Sequence, residues 1–430
     1  MAKDTDTKLR NQMMYSVYVR NHSEAGTFKA VEEDLDRIQA LGTDIIWLLP
    51  IYPIGRKNRK GSLGSPYAIQ DYRKVNPEFG SREDFVSLAD GIRSRGMKCV
   101  IDVVFNHTSP DSWLAENHPE WFFRKADGAF GNKAGAWADV IDLDFGQAAL
   151  WDYLIDTLKF WAGLVDGFRC DVASLIPLDF WLRAREEVAA VRKGCLWIAE
   201  SVEPSFIAHN RALGFTGLSD SEIFQAFDVS YDYDIFPWYK GYLEGKNSLA
   251  EYAEKINAQE TAYPQNYVKL RFLENHDQSR VKFLIPDKKA LLNWTAFLYF
   301  QKGLALVYAG QETENEYRPG LFEKDTVPWQ GRGGDLSQLM AVLGKIRRDP
   351  LFANSRYCVS ALPDEILLAV HRGPGRRICG VFSLKGISAP VSVDAPEGVY
   401  KNLIDGAAFR IEDGKLSCRG TPVVFELLDK

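Results

Sequence analysis

The 430-residue sequence is sparing with the residues that mark several large protein classes. It has six cysteines (Cys99, Cys170, Cys195, Cys358, Cys379 and Cys418), none in CxxC spacing. Thiols scattered in this way build neither a disulfide framework nor a zinc ribbon, and they read as reduced and mostly buried. Its six histidines (His22, His107, His118, His209, His276 and His371) form no HxH or HExxH pair. A metal-dependent hydrolase with several imidazole ligands is therefore a poor fit. There is no GxSxG elbow for a nucleophilic serine and no GxxxxGK[ST] loop for a nucleoside triphosphate. No run of about 20 apolar residues suggests a membrane span. The opening residues "MAKDTDTKLRNQMMYSVYVR" lack the apolar core and cleavage site of a secretory signal. A net charge of −6 leaves no basic excess for nucleic acid or an anionic membrane surface. These absences lead us to expect a cytoplasmic protein without nucleic-acid or membrane partners. They leave open whether it is a monomer or a homodimer.

What the chain does have is alternation. Up to about residue 345, short apolar runs alternate with helical patterns. The runs are "YSVYVR" (15–20), "DIIWLLP" (44–50), "KCVIDVVFN" (98–106), "VDGFRCD" (165–171), "CLWIAE" (195–200), "EIFQAFDV" (222–229), "YVKLRFLEN" (267–275) and "GLALVYAG" (303–310). Among the helical patterns are "FKAVEEDLDRIQALG" (28–42), stopped by Gly42, and "LWDYLIDTLKFWAG" (150–163). Another, "SREDFVSLADGIRSRG" (81–96), opens with the capping pattern Ser81-x-x-Asp84. Alternation of this kind predicts a parallel sheet with helices outside it. Eight such units fit an α/β fold of the (β/α)8 TIM-barrel type. A doubly wound sheet usually opens on a Gly-rich phosphate turn, which is missing here.

Residues 107–145 are rich in Gly, Asp and aromatics and lack long helical periodicity. They read as a short inserted domain after strand 3. The barrel then comprises residues 1–106 and 146–348. From 349 to 430 the pattern changes to short β-type runs between Gly and Pro turns, predicting a C-terminal all-β, antiparallel domain. Six runs stand out there: "YCVSAL", "EILLAVHR", "RRICGVFSL", "VSVDA", "VYKNLI" and "TPVVFELL". The 11 Trp, 18 Tyr and 25 Phe read as core first and as stacking surfaces for sugar rings second.

In barrels of this type, working residues sit at the C-terminal strand ends. Asp102, Asp171, Glu200 and Asp277 each end or follow an apolar run. A carboxylate there is costly unless it is paired or used. Two carboxyl groups flanking a bond are what glycoside cleavage needs, one to protonate the leaving oxygen and one to attack the anomeric carbon. Within "GFRCDVAS" (167–174), strand alternation turns Arg169 and Asp171 to the same side, where the Arg should keep the Asp ionised. Cys170 then faces the helices, and the small residues Val172, Ala173 and Ser174 should leave room for a sugar. The apolar stretch "LWIAE" should raise the pKa of Glu200, so that it holds a proton at neutral pH as a general acid requires.

These segments resemble, in order, the four motifs of the α-amylase family of glycoside hydrolases: "DVVFNH" (102–107), "GFRCD" (167–171), the Glu of "WIAES" (197–201) and "ENHD" (274–277). "VIDLDF" (140–145) and "GSPYAIQDY" (64–72) resemble two further family segments. The resemblance implies retaining hydrolysis of α-glucosidic, mainly α-1,4, bonds in maltodextrins or malto-oligosaccharides. Asp171 would be the nucleophile, Glu200 the general acid/base and Asp277 the carboxylate that steadies the transition state. It assigns Tyr67, His107, Arg169, His276 and Arg280 to substrate binding, with Tyr67 as the platform under the attacked sugar. Asp102 and Asn106 would organise the site. The resemblance implies no required cofactor. Calcium is compatible with it, because Asn106 matches a ligand position in some members, but no DxDxDG loop indicates an ion.

Two departures bear on the substrate. Ser174 and Leu175 stand where many amylases have a Lys-His pair, and "DVAS" is similar to the neopullulanase and cyclomaltodextrinase branch. Ala68 follows Tyr67 where exo-glucosidases of the family commonly carry an Asp that grips the terminal glucose, which weakens an exo-glucosidase reading. Transglycosylation and tolerance of α-1,6 bonds therefore stay open as alternatives within the family, and a non-catalytic sugar-binding relative is the alternative outside it.

Overall fold

The computed structural model describes residues 2–135, 137–330 and 334–428. Eight strands close into a barrel: β1 (Met13–Val17), β2 (Ile45–Leu48), β3 (Lys98–Val103), β4 (Gly167–Cys170), β5 (Leu196–Ala199), β6 (Val229–Tyr231), β7 (Val268–Arg271) and β8 (Leu304–Tyr308). Every neighbouring pair is parallel, and β8 returns to β1. Apart from exposed Lys98, the strand residues are buried. This explains why they read as continuous apolar runs rather than as alternating ones.

The helices outside the barrel follow their sequence signals closely. Arg82–Ser94 opens on a complete capping box, with the Ser81 hydroxyl accepting from the Asp84 N–H and the Asp84 carboxylate accepting from the Ser81 N–H. Ala148–Ala162 buries Leu150, Leu154, Ile155, Leu158 and Trp161 against the barrel.

Three expected boundaries shift. The first strand ends at Val17, and residues 19–22 already turn as a short helix. The helix expected over 28–42 is two, Phe28–Glu33 and Leu35–Ala40, divided at Asp34. The Asp34 carboxylate is drawn onto Arg37 and lies 2.9 Å from His22 Nε2. The run 222–229 is mostly not strand. Ser219 and Glu222 form a capping box that starts the helix Asp220–Ile223, and strand pairing begins only at Val229.

Between β3 and the helix Ala148–Ala162, the chain makes an excursion. His107–Thr108 pairs with Ile141–Asp142 as a short ribbon, enclosing the helix Trp113–Asn117 and the turn Pro119–Trp121. Beyond residue 350 lie two four-stranded antiparallel sheets. The barrel's apolar core runs on into the first of them through Tyr357, Leu367 and Phe382. Two strands of the second sheet, Ala408–Glu412 and Lys415–Arg419, were not among the six expected runs. Each shows mainly exposed polar residues. Their sequence signal is the turn between them, where Asp413 and Gly414 both take positive φ (49° and 67°), as a tight hairpin requires.

Candidate active site

The barrel's strand register assembles the centre of the site. Asp102 on β3 lies directly beside Arg169 on β4. The residue after each of β4 and β5 stays in the ladder: Asp171 N–H donates to Val103 O at 2.8 Å, and Glu200 N–H donates to Cys170 O at 3.0 Å. Arg169 is fully buried and makes most of its contacts with charge. Its Nη1 donates to both Asp102 oxygens at 2.9 and 3.0 Å and to Asp171 Oδ1 at 2.9 Å. Its Nη2 lies 2.8 Å from Glu200 Oε1, an ionic contact without hydrogen-bond alignment. Nε donates to the Tyr231 hydroxyl at 3.1 Å, and the guanidinium lies 5.0 Å from the Trp47 ring centroid. Asp171 and Glu200 thus hang from the two ends of one planar cation.

Three carboxylates around one buried cation cannot all be stabilised as anions. Burial pushes Glu200 up to about 7, and Asp171 adds to the effect through repulsion while Arg169 opposes it. Burial likewise pushes Asp171 up to about 6, with Arg169 pulling down and Asp102 pushing up. Arg169 thus pulls Asp171 toward its ionised form, as expected from the sequence, but desolvation outweighs the one cation that three anions share, so Asp171 is a weaker acid than an ordinary aspartate while still ionised at neutral pH. Asp277 goes the other way. Burial tends to raise it, but His276, Arg169 and Arg318 outweigh that and hold it down to about 2. Its side chain is 47% exposed at the mouth, with Oδ2 3.1 Å from His276 Nε2.

The turn after Asp171 is unusual. Val172 takes φ 35°, a left-handed conformation that a β-branched residue resists. The strain directs the Val172 N–H onto Glu200 Oε2 at 2.8 Å. Ala173 and Ser174 are fully buried in the short turn Ala173–Leu175. The expectation that all three small residues open room for a sugar holds only for Val172, which lines the pocket.

Tyr67, His107, Asp171, Glu200 and Asp277, all anticipated from the sequence, converge on one pocket of about 210 Å³. Tyr67 is braced from beneath, its hydroxyl 2.6 Å from His276 Nε2 and 3.1 Å from Asp102 Oδ2, its ring stacked on that of His276. Burial depresses the basicity of His107 despite the attraction of Asp142 and Asp139. The Asn106 carboxamide lies 3.3 Å from His107 Nδ1; with Asn106 as the donor, the ring's proton is left on Nε2.

Arg280 departs from its expected role. It is fully buried, bound to Glu274 Oε1 at 2.6 Å and Ala309 O at 2.9 Å, and packed on the Tyr308 ring. The chain turns back after Asp277, and Glu274 of the same motif captures the guanidinium before it can reach the pocket.

Five pocket residues escaped the sequence reading as sugar contacts: Lys60, Ser65, Trp137, Asp139 and Val140. They lie on loops without periodicity. Only Ser65 and Val140, within segments already singled out, had a usable signal.

The model of the α-amylase catalytic domain matches residues 12–350, and that of the bacterial α-amylase C-terminal domain matches residues 358–425. The crystal structure of an α-amylase from Lactobacillus plantarum is 47% identical, covering 98% of this chain and 100% of that one with a TM-score of 0.96. A maltogenic α-amylase from Thermotoga neapolitana is 31% identical over 98% of this chain and 100% of its own, with a TM-score of 0.87. Among curated proteins, α-amylase MalA of Haloarcula japonica is 24% identical over 92% of this chain. A maltosyltransferase of Pseudomonas aeruginosa, acting between α-1,4-glucan and maltose 1-phosphate, is 32% identical over 56% of it. The chain spans 58% and 38% of the lengths of those two relatives. On its fold, its strand-end carboxylates and a family match over most of its length, the chain belongs to the α-amylase family.

Proposed function

We propose that this protein hydrolyses α-glucosidic bonds, mainly α-1,4, of maltodextrins and malto-oligosaccharides with retention of configuration. One observation carries the reading: Asp171 and Glu200 share a single guanidinium at the pocket floor, with Glu200 the weaker acid. The Asp171 carboxylate attacks C1 of the sugar seated on Tyr67. The C1–O bond breaks as Glu200 gives its proton to the departing oxygen. Glu200, now ionised, takes a proton from water, which attacks C1 and frees Asp171. Asp277, kept ionised by its cationic neighbours, faces the positive charge that develops on the ring. Retention calls for a carboxyl separation of about 5–5.5 Å.

We read the site as working without a required cofactor. Asn106 lies beside His107, while Lys133 Nζ donates to Leu143 O at 2.6 Å on the segment bonded to Asn106. A fixed ammonium there is a poor neighbour for a divalent cation. The unpaired thiols support a cytoplasmic setting.

The test is maltoheptaose followed by proton NMR. Early products carrying the α-anomer are expected. β-Anomer first would overturn retention, and no product at high enzyme concentration would overturn the hydrolase reading. The maltosyltransferase relative favours one second reading, in which a sugar hydroxyl captures the intermediate; oligomers longer than the substrate would mark it.

A further inference from the structure

The pocket has a wall that the reaction above does not use. Lys60, on the loop after β2, places Nζ 2.7 Å from Asp139 Oδ1, on the excursion between β3 and β4. Asp139 is almost fully buried, whereas the Lys60 side chain is 40% exposed. Both line the cavity together with Tyr67 and His107, and both charges lie close enough to His107 to act on its basicity. Trp137 extends the wall, its ring 5.8 Å from that of His107.

The loop that carries Lys60 is pinned at both ends. The N–H groups of Arg56 and Lys57 donate to Asp111 Oδ2 at 2.8 and 3.1 Å, fastening it to the excursion. Leu63 N–H donates to Phe322 O at 3.0 Å and Ser62 N–H to Glu323 Oε1 at 2.7 Å, fastening it to the long loop after β8. A wall supported from two other loops is not free to swing aside for a passing chain.

Its chemistry and size point the same way. A cavity of about 210 Å³ is smaller than the roughly 300–1,000 Å³ that encloses a drug-sized ligand. It is a small pocket at the carboxylates, partly open to solvent. A non-reducing terminus carries a free 4-hydroxyl, where an interior unit carries a glycosidic ether. An ammonium beside a carboxylate offers that hydroxyl both an acceptor and a donor.

We propose that the Lys60–Asp139 pair closes the glycone end of the pocket, so that the enzyme acts on non-reducing chain ends of malto-oligosaccharides and not within chains. The inference rests on the hydrolase reading above, since it assumes that Asp171 attacks the sugar held by Tyr67 and His107.

The test compares two p-nitrophenyl maltoheptaosides, one with a free non-reducing end and one blocked there by a 4,6-ethylidene group. Chromatography follows loss of intact substrate. Consumption of the free-ended compound at least tenfold faster than the blocked one is expected, and a smaller ratio overturns the inference. Cleavage of neither overturns the hydrolase reading, and this inference with it. The double variant K60M/D139N removes both charges and leaves no unpaired buried ion. With a melting profile showing it folded, it is expected to narrow the ratio at least fivefold. K60M alone, which spares the buried side chain, is expected to narrow it in the same direction. A ratio unchanged in both variants overturns the assignment of the closure to this pair.

Discussion

At the pocket floor, Arg169 is fully buried and holds Asp102, Asp171 and Glu200; at the wall, Lys60 is 40% exposed and holds Asp139. Both are cations among carboxylates, yet burial separates their duties. On the floor, attraction is strong and desolvation stronger, so acidities move and chemistry becomes available. At the wall, water reaches the ammonium, so the pair contributes shape and hydrogen bonds more than electrostatic energy.

The largest test of the contrast is loss of the floor's anions. Asp171→Asn is expected to lower kcat/KM on maltoheptaose by about 10⁴-fold or more. Glu200→Gln should lower it by about 10²–10⁴-fold, the usual worth of a positioned proton donor. A variant of Lys60 or Asp139 with losses of this size would erase the distinction between floor and wall.

Stability is the next lever. Arg169→Met strands three buried carboxylates and is expected to cost about 3–5 kcal/mol in denaturant unfolding at pH 8. The loss should shrink toward pH 5 as those groups take up protons. The double variant K60M/D139N should cost no more than about 1 kcal/mol, since it removes a pair whose ammonium solvent already screens and strands no buried charge.

Acid–base behaviour sharpens the picture of the floor. With Asp171 raised to about 6 and Glu200 to about 7, kcat/KM is expected to peak narrowly between those limits, the two values belonging to the interacting pair. The sign for stability follows from the same shift. Folded Glu200 binds its proton more tightly than an ordinary glutamate, so the protein loses stability as pH rises from about 4.5 through 7. Glu200→Gln is therefore expected to unfold about 1–3 kcal/mol harder than the parent at pH 8, with no difference near pH 4.

The smallest effect on substrate concerns Arg280. Its guanidinium serves Glu274 and Ala309, so Arg280→Met should destabilise the fold while leaving KM for maltoheptaose within about threefold. A KM rise above tenfold in a folded variant would restore it to the sugar.

The same contrast governs what could be read in the sequence. Floor residues sit on strands or immediately after them, where alternation and apolar runs announce which side chain points where. Asp171, Glu200 and the inward face shared with Arg169 were legible for that reason. The acidity of Asp171 was not, because it depends on how many anions meet one cation, and that number exists only after β3, β4 and β5 lie side by side. Wall residues come from loops pinned by distant partners, and nothing near Lys60 in the chain names Asp139. Arg280 misled for a related reason. The turn that buries it is made by contacts with β8 and the loop beyond. In the C-terminal sheets, the Asp413-Gly414 turn was a legible hairpin signal, but its two strands were too polar to be seen by hydrophobic pattern.

Arg169 also has a bearing on how the protein acquires activity. It touches Trp47 of β2, Asp102 of β3, Glu200 at the end of β5 and Tyr231 of β6. No contiguous fragment shorter than that span can hold the guanidinium in place. During refolding, catalytic competence should return in step with the slowest probe of global structure and not with early helix formation, because the site is made of contacts far apart in the chain.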